Sequence, residues 1–169
     1  RVQRVTPAGV VDDGVEYALD CLIYATGFEV GTDYSRRAGY PIIGRGGLTL
    51  TEKWAGGVET LHGMFSRGFP NCFIMGPQQT GFTVNFPHML NEQSRHIAYI
   101  LRHVADCGLR TVEVTEAAEA EWVATIIRLA VLAQDFLENC TRGYYNNEGK
   151  PRERSGQNGF YGGGSVEFF

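Results

Sequence analysis

The segment RGFPNCFIMGPQQTGFTVNFPHMLNEQSRHIAYIL, residues Arg67–Leu101, is the part of the chain around which the fold is predicted to be organised. Asn71–Met75 within it is a short apolar run of the length expected for a strand buried on both faces. Gly76-Pro77 ends that run, because proline cannot donate a hydrogen bond to a sheet. A polar loop follows, and a helix is predicted to begin near Pro87. The segment therefore predicts a strand, a loop and the amino end of a helix in succession.

Such a junction can bind an electron-rich ligand. The first N–H groups of a helix lack partners within the helix, and the helix dipole adds positive charge at the same end. An ordinary connection between a strand and a helix, without any ligand, has the same sequence features. The choice between these two interpretations depends on the other parts of the chain.

Composition indicates a globular protein and argues against several functions. The 169 residues can bury one core, and the 22 glycines are scattered rather than arranged in a repeat. The net charge is −4 and no basic run exists, so no nucleic-acid partner is predicted. No apolar stretch approaches the roughly 20 residues that span a bilayer. The sequence contains no HExxH, no nucleophile elbow and no phosphate-binding loop.

The cysteines and histidines do not predict a metal site. The four cysteines are Cys21, Cys72, Cys107 and Cys140. They stand singly, without a CxxC pair, so neither a zinc site nor a thioredoxin-like motif is predicted. His96 and His103 share a helix face, but the arginine beside each favours a solvated flank. A reducing, cytoplasmic compartment is the prediction from this cysteine usage.

The first part of the chain is predicted to be β-structure. Arg1–Pro7 is interpreted as a strand, and Asp13-Gly14 between valine-rich runs predicts a tight hairpin turn. Glu16–Ala25 is predicted to be a strand whose apolar second half lies in the centre of a sheet. It runs into Thr26-Gly27, at the carboxyl end of a strand, where ligands bind in open α/β sheets.

Two short strands and two helices are predicted further along. The strands are Leu48–Trp54, which alternates, and Thr111–Val114. One amphipathic helix is predicted from about Pro87 to Cys107, with Gly108 after it, and a second from the cap Thr115 to near Asn139. The apolar face of the first helix is predicted to consist of Leu90, Ile97, Ile100, Leu101 and Val104.

Three segments resemble a known family of flavoproteins. LDCLIYATGF, Leu19–Phe28, resembles the Asp-x-[Ile/Leu/Val]-[Ile/Val]-x-Ala-Thr-Gly-[Phe/Tyr] motif of flavin-containing monooxygenases. Thr51–Asn85 looks like the segment that follows it in Baeyer–Villiger monooxygenases: a Trp, Gly-Phe-Pro-Asn, an aromatic strand and Gly-Pro. The tail, Asn139–Phe169, is similar to the ending of one branch of that family. The chain therefore resembles a Baeyer–Villiger member of the class B flavoprotein monooxygenases.

This resemblance implies an α/β fold with two Rossmann-like dinucleotide-binding domains, one for FAD and one for NADPH. In this family NADPH reduces the flavin, which then uses O₂ to insert an oxygen atom into a ketone, giving an ester or lactone. The sequence lacks both GxGxxG fingerprints and the segment with the catalytic arginine, so no catalytic residue is predicted in it. It is predicted to be a carboxyl-terminal fragment that needs the missing amino-terminal half of its own chain.

The resemblance also assigns regions and site residues. Residues 1–28 would return from the NADP domain to the FAD domain, residues 29–139 would form the carboxyl-terminal half of the FAD domain, and residues 140–169 a glycine- and aromatic-rich tail. The implied cofactor-binding residues are Thr26, Gly27, Gly76, Pro77, Asn85 and Phe86. The implied substrate-pocket residues are Gly81, Phe82 and Thr83.

Two alternative functions stay open from the sequence. An N- or S-oxygenating flavin monooxygenase shares the Ala-Thr-Gly motif, although Trp54 and the Gly-Phe-Pro-Asn context favour the Baeyer–Villiger branch. A non-catalytic interaction module derived from a flavoprotein would instead be stable and monodisperse without any upstream half.

Overall fold

Residues 2–25, 34–130, 139 and 156–169 are described by the computed structural model of the chain. The strands among them are β1 (Val2–Thr6), β2 (Gly9–Asp12) and β3 (Val15–Ala18). The helices are α1 (Tyr34–Ala38), α2 (Leu50–Lys53), α3 (Phe86–Asp106), α4 (Glu116–Leu129) and α5 (Ser165–Phe168), with one 3₁₀ turn at Arg45–Gly47. None of the helices in these ranges has the length and apolar character that crossing a membrane requires.

The three strands form one antiparallel sheet in the order β1-β2-β3. Val10 pairs with Tyr17 across the hairpin, and the connecting residues Asp13 and Gly14 both have positive φ, 49° and 79°. This is the geometry of the two-residue turn that an Asp-Gly pair favours. The predicted first strand and the predicted hairpin are therefore confirmed.

The predicted strand over Glu16–Ala25 is wrong beyond Ala18. β3 ends at Ala18, and residues 19–25 pair with no strand among the described residues. Ile23 is 82% exposed, and Tyr24 is also exposed. An apolar run becomes a strand only where a neighbour supplies backbone partners, and the sheet of β1 to β3 does not extend to this run.

A helical turn replaces the strand predicted over Leu48–Trp54. The Thr49 hydroxyl accepts a hydrogen bond from the Glu52 N–H at 3.2 Å. The Glu52 carboxylate in turn accepts one from the Thr49 N–H at 2.9 Å. This capping box satisfies two backbone donors at the start of α2. Local side-chain-to-backbone bonds thus outweigh the alternating apolar pattern.

Asn71–Met75 and Thr111–Val114 contact each other but do not form the predicted strands. The Asn71 N–H donates to the Val112 carbonyl at 3.0 Å, and the Val112 N–H donates to the Asn71 side chain at 2.9 Å. Asn71 has φ 58°, a left-handed conformation that cannot continue a ladder. The side chain of Asn71 therefore takes the place of a regular strand pairing. Both strand predictions are wrong for the described part of the chain.

Both long helices begin where the sequence predicts. α3 begins at Phe86, and Gly108 follows its end with φ 63°. The predicted apolar face is only partly correct, because Leu101 is exposed and the fully buried residues are Met89 and Gln93. Thr115 caps α4 by accepting a hydrogen bond from the backbone of its first turn. α4 ends at Leu129, with Ala130 as its C-cap, so the predicted end of this helix near Asn139 is wrong. Residues 131–138 lie outside the described residues.

A small apolar cluster supports the loop that precedes α3. Leu50, Phe69 and Ile74 form its buried centre. The partly buried side chains packed against it are Tyr34, Ile42, Trp54 and Cys72. Burial raises the pKa of the Cys72 thiol, which keeps it protonated and suits it to packing. Because Ile74 lies two residues before Gly76, this cluster anchors the start of the loop.

Candidate cofactor and substrate site

The residues that resemble a cofactor site meet where the loop after Ile74 joins α3. Gly76 is buried, and both of its backbone groups bond to the side chain of Gln93. The Gly76 N–H donates to Gln93 Oε1 at 3.2 Å, and Gln93 Nε2 donates to the Gly76 carbonyl at 2.8 Å. Gln93 lies seven residues after Phe86, or two helical turns into α3. One side chain therefore connects Gly76 to α3.

The Gly76-Pro77 turn is also held from within its own loop. The buried Thr80 hydroxyl lies 3.2 Å from the carbonyl oxygens of Gly76 and Pro77. Gly63 packs against the same loop so closely that a β-carbon on it would lie 2.2 Å from Thr80 Cγ2. The turn is therefore enclosed on two sides by the protein.

The amino end of α3 is open. Asn85 caps the helix, since its Oδ1 accepts from the His88 N–H at 3.2 Å and its carbonyl accepts from the Met89 N–H at 3.2 Å. Pro87 has no N–H. Within the described residues the Phe86 N–H has no hydrogen-bond acceptor. One unpaired donor at the positive end of a long helix is therefore available to a ligand.

The surroundings of this helix end are apolar and exposed. Val84 is 98% exposed, and Phe82 and Phe86 are partly exposed. The ring of Phe82 stacks on that of Phe160 in the tail, with centroids 4.3 Å apart and planes inclined by 14°. The Thr83 hydroxyl accepts a hydrogen bond from the Asn85 N–H at 3.3 Å. Apolar side chains are therefore accessible beside the unpaired N–H of Phe86.

Gly81 allows the tail to approach the loop. A β-carbon on Gly81 would lie 2.6 Å from the β-carbon of Phe168, so only glycine leaves room for that ring. The Tyr161 N–H donates to the Thr80 carbonyl at 2.9 Å. The tail thus lies along the loop that the resemblance assigns to the substrate pocket.

Gln79 connects the loop to three other segments. It is fully buried, with φ 56°, and its Nε2 donates to the carbonyls of Val58 and Gln157 at 2.7 Å and 2.8 Å. Its backbone N–H donates to the Gly159 carbonyl at 2.7 Å, and its carbonyl accepts from Trp122 Nε1 at 3.1 Å. Every polar group of Gln79 named here has a partner, as buried polar groups require.

Sequence reasoning did not single out Gln79 or Gln93. Gln93 follows Met89 by four residues, so the two share a helix face. A glutamine at a core-facing helical position is the signal that identifies such a residue. Gln79 lies in an irregular loop, where no periodicity exists, and its burial could not be predicted.

The predicted site residues divide into two groups. Thr26 and Gly27 lie outside the described residues. The others occur together on one loop and the start of one helix: Gly76, Pro77, Gly81, Phe82, Thr83, Asn85 and Phe86. Among the described residues, no group of three or more His, Cys, Asp or Glu side chains is arranged to hold a metal ion.

An aromatic cluster beside this site contains a half-buried histidine. The His62 ring lies 4.7 Å from the Trp122 ring, 5.9 Å from Phe168 and 6.2 Å from His96, measured between centroids. These rings line a cavity of about 500 Å³. Burial, and to a smaller extent the nearby His96, lowers the pKa of His62. The neutral imidazole is therefore favoured in the folded protein.

We expect the stability of the protein to fall as the pH is lowered through the titration of His62. Below its usual pKa of 6.5 the unfolded chain binds a proton that the folded chain does not yet bind. Stability should therefore decrease from about pH 6.5 down to the lower pKa of the folded state. Asparagine tolerates the φ of 53° that His62 adopts. His62→Asn should therefore make the melting temperature less dependent on pH.

His103→Asn is the matched control, because His103 is exposed on α3. It should retain the pH dependence of the parent between pH 7 and pH 5. Parallel melting-temperature curves for the parent and His62→Asn would contradict the assignment to His62.

Comparison with known proteins identifies the family. No protein-family model matches the chain. Pentalenolactone D synthase from Streptomyces exfoliatus is 57% identical over 169 residues, which cover 99% of this chain and 29% of that protein. Baeyer–Villiger monooxygenase 4 from Dietzia sp. strain D5 is 42% identical over 149 residues, 88% of this chain and 24% of that protein.

Two solved structures have a similar fold. The polycyclic ketone monooxygenase of Thermothelomyces thermophila matches with a TM-score of 0.83 and 33% identity, over 99% of this chain and 28% of that one. A crystal structure of OTEMO in complex with FAD and NADP matches with a TM-score of 0.67 and 32% identity, over 75% of this chain and 23% of that one.

The fold is that of part of a flavin-dependent monooxygenase with two Rossmann-type domains. The chain belongs to the Baeyer–Villiger monooxygenase family. It spans about 29% of the length of the pentalenolactone D synthase that it matches. The predicted fold class and the predicted family are confirmed.

Proposed function

We propose that the protein is an FAD- and NADPH-dependent monooxygenase that converts a ketone to an ester or lactone with O₂. The observation that carries the proposal is the open amino end of α3, whose Phe86 N–H has no acceptor within the described residues. Membership of the Baeyer–Villiger family supports the reaction type. The OTEMO structure, which contains FAD and NADP, supports the two cofactors.

The residues at the junction fit an electron-rich ring. An unpaired N–H at the positive end of α3 is suited to a group that gains negative charge. Gly76, Pro77, Asn85 and Phe86 are the residues that would hold the flavin from this side. When bound, the flavin would accept electrons from NADPH and pass them to O₂. Phe82 and Thr83 would line the space for the ketone.

We infer that the chain is divided into the three regions that the family resemblance implies. Residues 1–28 would connect the NADP domain to the FAD domain, with Thr26 and Gly27 at the junction. Residues 29–139 would complete the FAD domain, and residues 140–169 would form the tail. The separate β1–β3 sheet and the contacts of Gly159 and Tyr161 with the loop support this division.

A cytoplasmic location is also part of the proposal. Cys21, Cys72 and Cys107 are the cysteines in the described part of the chain, and all three are free thiols. Free thiols are usual where the compartment is reducing. Fractionation of the source cells, with detection of the full-length protein in each fraction, would test this location.

Turnover by the full-length protein tests the proposed function. We expect purified protein to contain FAD, to oxidise NADPH faster when a cyclic ketone is added, and to form a lactone that contains one atom from ¹⁸O₂. An amine and a sulfide should be included as substrates. Oxygenation of these alone would favour the N- or S-oxygenating alternative, and absence of FAD would favour a non-catalytic module.

Expressed alone, the 169-residue chain should be poorly soluble and should not hold FAD. Apolar side chains of different segments are exposed, among them Ile23, Val84 and Leu101, and large exposed apolar surface favours aggregation. Size-exclusion chromatography and flavin absorbance of the purified chain would measure both properties. A monodisperse yellow protein would show that no amino-terminal half is needed.

Substitution of Phe86 by proline should lower the reduction potential of the flavin in the full-length protein. Proline removes the unpaired N–H, which would stabilise the reduced, more negative flavin. A helix terminus contributes about 0.3–2 kcal/mol to a nearby charge, equivalent to roughly 6–40 mV for a two-electron couple. Phe86→Leu retains the N–H and is the control. Equal potentials for Phe86→Pro and the parent, with FAD bound, would contradict the placement.

A further inference from the structure

Gln93 is a buried polar residue to which the proposed function gives no role. Its side chain is 1% exposed, yet it lies on a helix whose outer face is polar and solvent-accessible. Both ends of its amide bond to the backbone of a single residue, Gly76. A side chain that contributes only to the core could be apolar at this position, and a buried amide is costly unless it is fully paired. Because Gly76 belongs to the candidate flavin site, this pairing holds a part of that site against α3.

The two hydrogen bonds define both the position and the orientation of Gly76. The Gly76 N–H donates to Oε1 at 3.2 Å, and its carbonyl accepts from Nε2 at 2.8 Å. A single bond would allow the peptide to rotate about the contact, whereas two bonds on opposite polar groups do not. Without Gln93, Gly76 would be connected to α3 through residues 77–85 and the Thr80 hydroxyl.

The helix transmits this constraint to the other half of the site. Gln93 and Phe86 are seven residues apart on α3, so about 10 Å of rigid helix separates them. The unpaired Phe86 N–H is at one end of this length and the Gly76 clamp is at the other. Gln93 thus supplies two of the contacts that fix the spacing between the two backbone segments proposed to hold the flavin.

We infer that Gln93 is a positioning residue, which holds the Gly76-Pro77 turn and the amino end of α3 in the relative placement that productive flavin binding needs. This inference rests on the proposed function. It assigns Gln93 no contact with the flavin or the substrate, because both Oε1 and Nε2 of its buried amide bond to the backbone of Gly76.

Three variants of the full-length protein test the inference. Gln93→Met retains the length of the side chain and removes both hydrogen bonds. Gln157→Met is the matched control: Gln157 is also buried, and its Nε2 donates to the Val58 carbonyl at 2.9 Å, away from Gly76. Gln93→Glu replaces the amide by a group that can imitate it only when protonated. The readouts are FAD content, flavin reduction potential, and the share of NADPH electrons that reach product rather than hydrogen peroxide.

We expect Gln93→Met to retain its fold and to lose about 10- to 100-fold in coupled turnover, as misplacement of reacting groups by about 1 Å does. Its flavin potential should also differ from that of the parent. Gln157→Met should have the potential and the coupling of the parent even if its melting temperature falls. A merely structural role for Gln93 would lower the melting temperature of Gln93→Met and leave potential and coupling unchanged.

Gln93→Glu provides a second test that does not depend on the first. A protonated carboxyl accepts from the Gly76 N–H and donates to the Gly76 carbonyl, whereas a carboxylate repels that carbonyl. Burial favours the protonated form. Coupling should therefore match the parent at low pH and match Gln93→Met at high pH. The titratable or charged groups lining the same cavity are His62, Glu92, Arg95, His96, Tyr161 and Glu167, so the parent is measured over the same pH range.

The outcomes distinguish the inference from the function on which it rests. A parent without FAD or oxygenation would overturn both. A parent that binds FAD and forms product, with pH-independent Gln93→Glu or fully coupled Gln93→Met, would overturn the positioning role alone. If Gln93→Met does not fold, the pH profile of Gln93→Glu decides the question.

Discussion

Replacement of Gly63 by alanine should destabilise the protein by about 3–5 kcal/mol, the sum of overpacking and backbone strain. Its β-carbon would lie 2.2 Å from Thr80 Cγ2 and 2.3 Å from the Gln78 carbonyl oxygen. The second contact is with backbone, so no rotation of a side chain relieves it. Gly63 also has φ 69°, which is unfavourable for alanine.

The displaced loop should affect function as well as stability. Thr80 would move, and its hydroxyl bonds the carbonyls of Gly76 and Pro77. Under the proposed function, Gly63→Ala should therefore weaken FAD binding in whatever protein remains folded. Thermal unfolding of the full-length protein and FAD content per chain would measure the two effects.

Gly46→Ala is the matched control for Gly63→Ala. Gly46 has φ 65°, almost the same as Gly63, and no atom of the described residues would lie within 4 Å of its β-carbon. It should cost only about 1–2 kcal/mol, the strain of a left-handed conformation. Equal losses for the two variants would show that the contacts of Gly63 with the loop do not determine its role.

Replacement of Lys53 by methionine should destabilise the protein by about 3 kcal/mol, because removal of one partner leaves a buried charge. Lys53 Nζ lies 2.8 Å from Glu119 Oε2 and 2.6 Å from Glu59 Oε2. The Glu119 side chain is buried, and its other oxygen accepts from the Arg67 N–H at 2.7 Å. Burial acts to lower the pKa of Lys53, but the hydrogen bonds to Glu119 and Glu59 outweigh it and raise the pKa.

This ion pair stabilises the packing of α4 against the segment before Asn71, because Glu119 lies in the first turn of α4. Adding Glu119→Gln to Lys53→Met should restore part of the lost stability. Glutamine removes the uncompensated charge and can still accept from the Arg67 N–H. Greater instability of the double variant than of Lys53→Met would contradict this explanation.

An exposed ion pair provides the control for Lys53→Met. Arg102 lies 3.2 Å from Asp106 on α3, and both side chains are largely in solvent. Such pairs contribute about 0.3–0.5 kcal/mol, so Arg102→Met should leave the melting temperature nearly unchanged. A similar melting temperature for Lys53→Met and Arg102→Met would show that burial of Glu119 is unimportant.

The sequence alone determined the elements that form through contacts between residues close together in the sequence. The hairpin at Asp13-Gly14 forms because these two residues accept positive φ. α3 and α4 begin directly after Asn85 and Thr115 because each of these side chains accepts a hydrogen bond from a backbone N–H of the first turn. The capping box at Thr49 is equally local, although the alternating apolar pattern around it obscured the helix in the prediction.

The order of motifs along the chain was also sufficient to predict the family. The segments around Leu19–Phe28 and Thr51–Asn85 resemble Baeyer–Villiger monooxygenases, and the comparisons confirm that family. The same resemblance placed a candidate site from Gly76 to Phe86, and these residues do form one loop and one helix start. Their individual roles remain predictions.

Only the tertiary structure decided which segments pair and which polar groups are buried. Asn71–Met75 and residues 19–25 have the composition of strands, but a strand needs a partner from a distant part of the chain. The bonds of Gln93 to Gly76 and of Gln79 to Gln157 join residues 17 and 78 positions apart. Local sequence determines the conformational preferences of a backbone segment. Hydrogen bonds between distant residues depend instead on the path of the chain between the two partners, and the packing of the whole fold specifies that path.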